Sequence, residues 1–168
     1  SAHSPTVALV TVDAARSLDE DLAPLTAALT GQGVLVEQPS WDDPKIDWSR
    51  YALALLRSTW DYVDRIDEFL QWVERTARVT RVLNPPELVR WNTDKRYLAD
   101  LERRGLPIIP SSFAAAGEPL EFPDSAEWVV KPAIGAGSRG ARRFRRDEEV
   151  AARAHAATLQ AAGRTVLV

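Results

Sequence analysis

The stretch YALALLRST, residues 51–59, constrains the fold of this chain more than any other segment. Its centre is apolar without alternation, so a strand made from it must be covered on both faces. Such strands belong inside parallel sheets flanked by helices, because antiparallel sheets with one wet face alternate apolar and polar positions. The residues before it supply the rest of that sheet. TVALVTV (6–12) is a short β-branched run, LDEDLAPLTAAL (18–29) carries apolar residues at helical spacing, Gly31 and Gly33 stop it, and VLVEQP (34–39) is again strand-like. After the apolar strand, DRIDEFLQWVERTARV (64–79) sets Ile66, Phe69, Leu70 and Val73 on one helical face, and RVLN follows. The first half is therefore expected to be an α/β unit, a small, mostly parallel β-α-β sheet with helices on its faces. It is expected to end near NPPEL (84–88), where the proline pair interrupts regular structure.

The remainder reads differently. Thr93 is placed as the N-cap of a helix running to Arg104, with Gly105 after its last turn. An extended LPIIPSS and a polar linker lead to a strand at residues 128–132, a glycine-rich loop, a second strand ARRFRR, and a helix beginning at Asp147. Asp147, Glu148 and Glu149 complement the positive end of that helix. The chain closes on RTVLV, a strand with no turn after it, so the second domain is expected to be incomplete. The expected division is residues 1–85 and 86–168.

Composition narrows the functions. A net charge of −3 over 168 residues gives no general electrostatic reason to bind nucleic acid or an acidic membrane. No apolar run approaches the roughly 20 residues that span a bilayer, and the first residues lack the regions of a signal peptide. With no cysteine there is no disulfide framework and no thiolate site. A cytoplasmic location is expected. Of the 21 basic residues only Lys45, Lys95 and Lys131 are lysine, leaving 18 arginines. Where lysine stands in so arginine-biased a chain, a compact ammonium is wanted in place of a planar fork.

EWVVKPAIGAGSRGARRF (127–144) poses the chemical question. Gly135, Gly137 and Gly140 satisfy G-x-G-x-x-G, but a dinucleotide turn needs a helix after the glycines and an acidic residue about 20 positions on. Here an extended segment follows, and Gln160 occupies that later position. A Walker-type loop puts its lysine after the glycines, whereas Lys131 precedes them. What remains is a β-hairpin with a mobile glycine tip and a lysine on its incoming strand, a geometry in which backbone N–H groups fold over nucleotide phosphates. Ser138 and Arg139 add donors. An ordinary hairpin turn is the competing reading. Lys95, placed in the first turn of its helix, favours the phosphate reading, since a helix N-terminus with an ammonium suits an anion; a solvated surface lysine is its alternative.

WNTDKRYLADLERRGLPIIPSS followed by WVVKPAIGAGSRGARRF resembles the ATP-grasp superfamily, in which a D-K helix, a V-K-P strand and a glycine-rich loop precede the adenine-binding hinge. The resemblance extends over residues 83–168, and the preceding β-α-β region is similar to the substrate-side domain such ligases carry in front. Within the superfamily, RSTWDY, NP, WN-x-DK and KP-x-IGAGS-x-G are most similar to the small bacterial, D-cycloserine synthetase-like enzymes. The resemblance implies ATP and Mg²⁺ as cofactors. It implies that Lys95 and Lys131 contact the α- and β-phosphates, and that Ile134, Gly135, Ala136, Gly137, Ser138, Arg139 and Gly140 close over the triphosphate. It further implies an ADP-forming carboxylate–amine ligase or cyclo-ligase working through an acyl phosphate on a small amino-acid-like substrate, with D-cycloserine formation from O-ureidoserine as one such reaction. The Mg²⁺ ligands of that superfamily, an acidic pair and an Asn, come from strands after the hinge. No metal ligand or catalytic residue is therefore assigned within residues 1–168. A nucleotide-binding module without turnover and a phosphotransferase on the same scaffold stay open, as does a homo-oligomeric state.

RSTWDY follows the apolar strand and so falls at the carboxyl edge of the sheet, where open α/β folds bind ligands. Arg57 is expected to grip a carboxylate, Asp61 an ammonium, and Trp60 to wall the pocket; an internal Arg57–Asp61 pair with Trp60 in the core is the alternative. Trp91 and Asn92 read as staple and cap of the Lys95 helix, His155 as structural or exposed, and RRFRR as a solvated strand edge. His3 carries no reading beyond a flexible start.

Overall fold

A computed structural model of the chain describes residues 5–168, so His3 lies outside the described residues. These residues cluster into two compact units that divide between Arg90 and Trp91.

The first unit is built on a wholly parallel sheet. Strand β1 (Thr6–Thr11) is followed by a one-turn helix α1 (Asp13–Arg16), helix α2 (Leu22–Gly31), β2 (Leu35–Glu37), β3 (Leu53–Ser58), helix α3 (Ile66–Ala77), β4 (Val82–Leu83) and helix α4 (Pro86–Asn92), whose last two residues fall in the second unit. The spatial order is β2-β1-β3-β4, every pair parallel. The alternation of side chains along β1 explains why it is apolar from Val7 to Val10. Val7 and Leu9 face a core with Leu22, while Ala8 and Val10 face a second core with Ala54, Phe69, Trp72 and Val73. Both faces are covered, as the unalternated β3 sequence requires. Helix α3 buries Phe69, Leu70, Trp72, Val73 and Thr76. Trp41, from the segment joining β2 and β3, packs edge-on to Phe69 at 5.3 Å, and Trp48 meets Trp72 at 5.0 Å.

Two expectations change here. The apolar helix begins at Leu22 and not at residue 18, and Leu18 is left exposed. The break expected at the proline pair is confined to Asn84 and Pro85, since Pro86 already opens α4, in the first helical position where a missing N–H costs nothing and φ is already helical.

The second unit contains α5 (Tyr97–Arg103), β5 (Phe113–Ala114), β6 (Glu127–Pro132), β7 (Arg142–Arg145), α6 (Glu149–Ala161) and β8 (Val166–Leu167). Its sheet has the order β5-β8-β6-β7 and is antiparallel at each pairing. The final strand thus lies inside the sheet. Helix α6 packs Ala152 and Ala156 against Trp128, Val130, Phe144 and Val166. The period of two along β6 buries Trp128, Val130 and Pro132 and turns Val129 and Lys131 to the other face.

The helix expected from Thr93 is not continuous. Residues 93–96 form a turn between α4 and α5, so Trp91 and Asn92 close α4 and Lys95 stands before α5. The cause is tertiary. The Lys95 amide donates to the Ala133 carbonyl at 2.9 Å, and Asp94 Oδ1 accepts from the Arg96 amide at 2.9 Å, which holds a turn in place of the helical ladder. Among the described residues no helix is long and apolar enough to cross a membrane.

Candidate functional site

The hairpin β6–β7 and the turn before α5 meet around one small cavity. It has a volume of about 240 Å³ and is lined by Lys95, Val129, Lys131, Pro132, Gly135, Ala136, Gly137, Ser138, Arg139 and Ala141. Lys131 reaches it because the alternation of β6 points it away from the α6 core. Lys95 reaches it because its own amide is tied to Ala133 at the end of the same strand. Its Nζ donates to the Gly135 carbonyl at 2.9 Å and lies 3.5 Å from that of Ala133.

The electrostatics follow from this placement. Burial pushes the Lys95 ammonium below its ordinary pKa, and the Lys131 charge pushes it further in the same direction, against the pull of Asp94. Asp94 is itself held low: burial opposes this, but hydrogen bonds from Arg96 and its charge outweigh the burial. No carboxylate lines the cavity, which therefore gathers three cationic side chains and the loop amides. A polyphosphate is the ligand such a lining suits, since each phosphate oxygen accepts and none donates when ionised.

The loop has two distinct ends. Gly137 (φ +59), Ser138 (φ +58) and Gly140 (φ +73) all adopt the left-handed region, and a side chain at Gly137 would meet nothing within 4 Å. At Gly140 a Cβ would sit 3.2 Å from Pro132 Cγ and 3.3 Å from Leu159 Cδ2. The structure therefore brings Lys95, Lys131, Gly135, Ala136, Gly137, Ser138 and Arg139 together, while Ile134 and Gly140 stand at the flanks and do not line the cavity.

In the first unit the sheet edge is more crowded than its sequence suggests. β1 and β3 pair Val10 with Leu56 and then Thr11 with Ser58, which leaves Arg57 as the extra residue of a bulge. Its guanidinium donates to Asp19 at 3.0 and 3.3 Å and to Asp21 at 3.5 Å. The Asp19 carboxylate is only 4% exposed. Asp61 is engaged elsewhere, accepting from Trp41 Nε1 at 2.9 Å and from Arg65 at 3.0 Å. Arg57 and Asp61 are thus not partners of each other, and Trp60 stands 41% exposed on the turn after β3, outside the core. Thr11 and Ser58 hydroxyls meet at 2.8 Å beneath this edge. Asp19, the partner of Arg57, carries no signal in the sequence beyond being an acid in the segment after β1.

His155 is half-buried on α6, and its Nε2 lies 2.8 Å from the Gly140 carbonyl. The arginines of β7 are taken up locally, Arg143 by Glu127, Arg145 by Asp147 and Glu148, and Arg142 over the Phe144 ring, and Arg146 just after the strand pairs with Asp124.

Comparison with known proteins adds an independent line. Residues 7–84 match the family described as D-cycloserine synthetase DcsG, N-terminal domain. The cycloserine biosynthesis protein DcsG of Streptomyces lavendulae is 39% identical over 171 residues, an alignment that takes in 96% of this chain and 57% of that protein. The crystal structure of D-cycloserine synthetase DcsG superposes with a TM-score of 0.82 at 38% identity, covering 96% of this chain and 58% of the other. D-alanyl-alanine synthetase A of Vibrio cholerae, 12% identical, shares the fold with a TM-score of 0.63 over 99% of this chain and 59% of its own. An ATP-grasp protein of the RimK type from Sphaerobacter thermophilus, 15% identical, does so at 0.64, covering 98% and 62%. The chain spans rather more than half the length of each. The resemblance to D-cycloserine synthetase is thus carried by sequence and fold alike, and that to an ATP-grasp protein by the fold.

Proposed function

We propose that this chain supplies the substrate-side sheet and the phosphate-binding lobe of an ATP-dependent carboxylate–amine ligase, or cyclo-ligase, acting on a small amino-acid-like molecule. The observation that carries the reading is the convergence of Lys95 and Lys131 on one carboxylate-free cavity whose remaining wall is the glycine loop. The 39% identity to a cycloserine biosynthesis protein supports D-cycloserine formation from O-ureidoserine as the reaction. Residues 1–85 are assigned the substrate side and residues 86–168 the nucleotide side.

The residues present fit the phosphates of ATP. Bound ATP supplies the γ-phosphoryl group that turns a carboxylate into an acyl phosphate, which a nitrogen nucleophile opens with loss of phosphate. This chain's part is positioning and charge neutralisation, which is most of what phosphoryl transfer asks of a protein. Lys95 and Lys131 neutralise phosphate oxygens, the amides of residues 136–138 donate to them, and Ser138 and Arg139 add side-chain donors. Arg57, at the sheet edge, is assigned the substrate carboxylate, with Trp60 as an exposed wall and Asp61 as an acidic neighbour. Among the described residues no group of three or more His, Asp or Glu is disposed to hold a metal ion, so no Mg²⁺ ligand is assigned.

The test is twofold. In the complete protein, ATP and O-ureidoserine are expected to yield ADP, phosphate and a cyclised product, which becomes D-cycloserine once water removes the carbamoyl group from the ring nitrogen as carbon dioxide and ammonia. ADP with a phosphorylated hydroxyl marks a phosphotransferase, and nucleotide binding without ADP marks a module that does no chemistry. In the 168-residue chain, tripolyphosphate is expected to bind and to be lost in Lys131→Ala; equal binding by both removes the phosphate cavity from the account.

A further inference from the structure

We propose that His155 is a positioning residue that fixes the C-terminal end of the glycine loop, so that the loop moves about Gly140 when phosphate enters. The proposal rests on the nucleotide reading above. Each end of the loop has a carbonyl capped by a side chain: Gly135 by Lys95 Nζ at 2.9 Å, and Gly140 by His155 Nε2 at 2.8 Å. The two caps differ in kind.

Lys95 lines the cavity, so an entering phosphate competes for the same ammonium that holds Gly135. That end of the loop is releasable. His155 lies on α6, outside the residues lining the cavity, with its ring 5.8 Å from that of Phe144 in the core of the unit. A carbonyl oxygen only accepts, so Nε2 carries the proton, and both the neutral Nε2–H tautomer and the imidazolium donate there. Its bond to Gly140 has no ligand competing for it. Gly140 also packs closely against the unit, with φ +73 and a Cβ position only 3.2 Å from Pro132 and 3.3 Å from Leu159. Between the ends stands an open tip, where Ser138 holds a left-handed φ and Gly137 has nothing near it. One releasable end, an open tip and one fixed end make a lid that pivots on its last glycine.

Hydrogen exchange in the 168-residue chain, with tripolyphosphate as probe, compares the unsubstituted protein with His155→Ala and His155→Gln. Alanine keeps α6 helical, and glutamine places an N–H donor at similar reach. In His155→Ala the amides of Gly140 and Ala141 are expected to exchange about two- to tenfold faster, the factor to which an ordinary net hydrogen bond converts. Tripolyphosphate binding should weaken by a similar factor, exchange along β6 and α6 should stay as it was, and His155→Gln should restore both. Unchanged exchange at Gly140 and Ala141 overturns the proposal, and so does acceleration spread along α6, the mark of a merely structural contact. If the unsubstituted chain binds no tripolyphosphate, the nucleotide reading falls instead, and the exchange comparison still decides whether His155 holds the loop.

Discussion

Replacing Gly140 by alanine, with Gly137→Ala as its control, separates the two halves of the loop by free energy. Both residues hold a left-handed φ, +73 and +59. For alanine that conformation costs about 1–2 kcal/mol. The gain from stiffening the unfolded chain is common to both substitutions and cancels in the comparison. At Gly137 nothing else is added, because a Cβ there meets nothing within 4 Å. At Gly140 the new methyl arrives 3.2 Å from Pro132 Cγ and 3.3 Å from Pro132 Cδ and Leu159 Cδ2, so the ring of a buried strand residue or the leucine must move by a few tenths of an ångström. Overpacking of this kind costs about 1–3 kcal/mol. Gly140→Ala should therefore destabilise the second unit by about 1–3 kcal/mol more than Gly137→Ala. Because the two units need not unfold together, the assay is denaturant-dependent hydrogen exchange read on amides of β6 and α6, which report that unit alone. Two variants equal within about 0.5 kcal/mol, the range of ordinary surface changes, would refute the claim that the loop's last glycine is packed into the unit while its middle is free.

Three further expectations concern the charged groups. Lys131→Arg preserves charge and should leave stability within about 0.5 kcal/mol, yet a bulkier guanidinium beneath the loop should lower turnover of the complete protein about 100- to 1,000-fold, by analogy with the loss of one transition-state donor; near-normal ADP release would return the segment to an ordinary hairpin. The Lys95 pKa is depressed below its ordinary 10.5, so its charged form disfavours folding at neutral pH, and that penalty disappears as pH rises through the depressed value towards 10.5. Tripolyphosphate favours the charged form, so its binding should take up a proton in that window and weaken as pH rises; calorimetry in buffers of different ionisation enthalpy should show this in the unsubstituted chain and not in Lys95→Met. Arg57→Ala strands the buried Asp19 carboxylate and should cost about 1–3 kcal/mol, partly restored by adding Asp19→Asn; in the complete protein KM for the amino-acid-like substrate should rise far more than KM for ATP, and a stability loss with both constants unchanged would make the pair structural.

What could be read from the sequence was whatever depends on local period. The unalternated 51–59 run dictated a strand covered on both faces, and the i, i+3, i+4, i+7 spacing of Ile66, Phe69, Leu70 and Val73 dictated the buried face of α3. What could not be read depends on partners far along the chain. The break between α4 and α5 exists because the Lys95 amide is drawn to a carbonyl 38 residues later. Arg57 finds Asp19, also 38 residues distant, in place of the nearer Asp61. The contact between His155 and Gly140 spans 15 residues and two elements with no shared period. Even β8, last in the chain, lies between β5 and β6.

The use of lysine at positions 95 and 131, in a chain whose basic residues are arginine everywhere else but at Lys45, follows from the same geometry. The Lys95 ammonium sits within reach of two backbone carbonyls, one at 2.9 Å and one at 3.5 Å, in a half-buried place beside a second cation. A planar fork cannot converge on two carbonyls of one turn and also swing to a phosphate, whereas three rotatable donors on a flexible stem can do both. Depression of its pKa means that the protein alone solvates this charge incompletely. An anion in the cavity would relieve both the burial and the repulsion from Lys131, and in attracting Lys95 it would loosen the Gly135 end of the loop. Affinity for phosphate and release of the loop then share one ammonium group, and neither can be altered at Lys95 without altering the other.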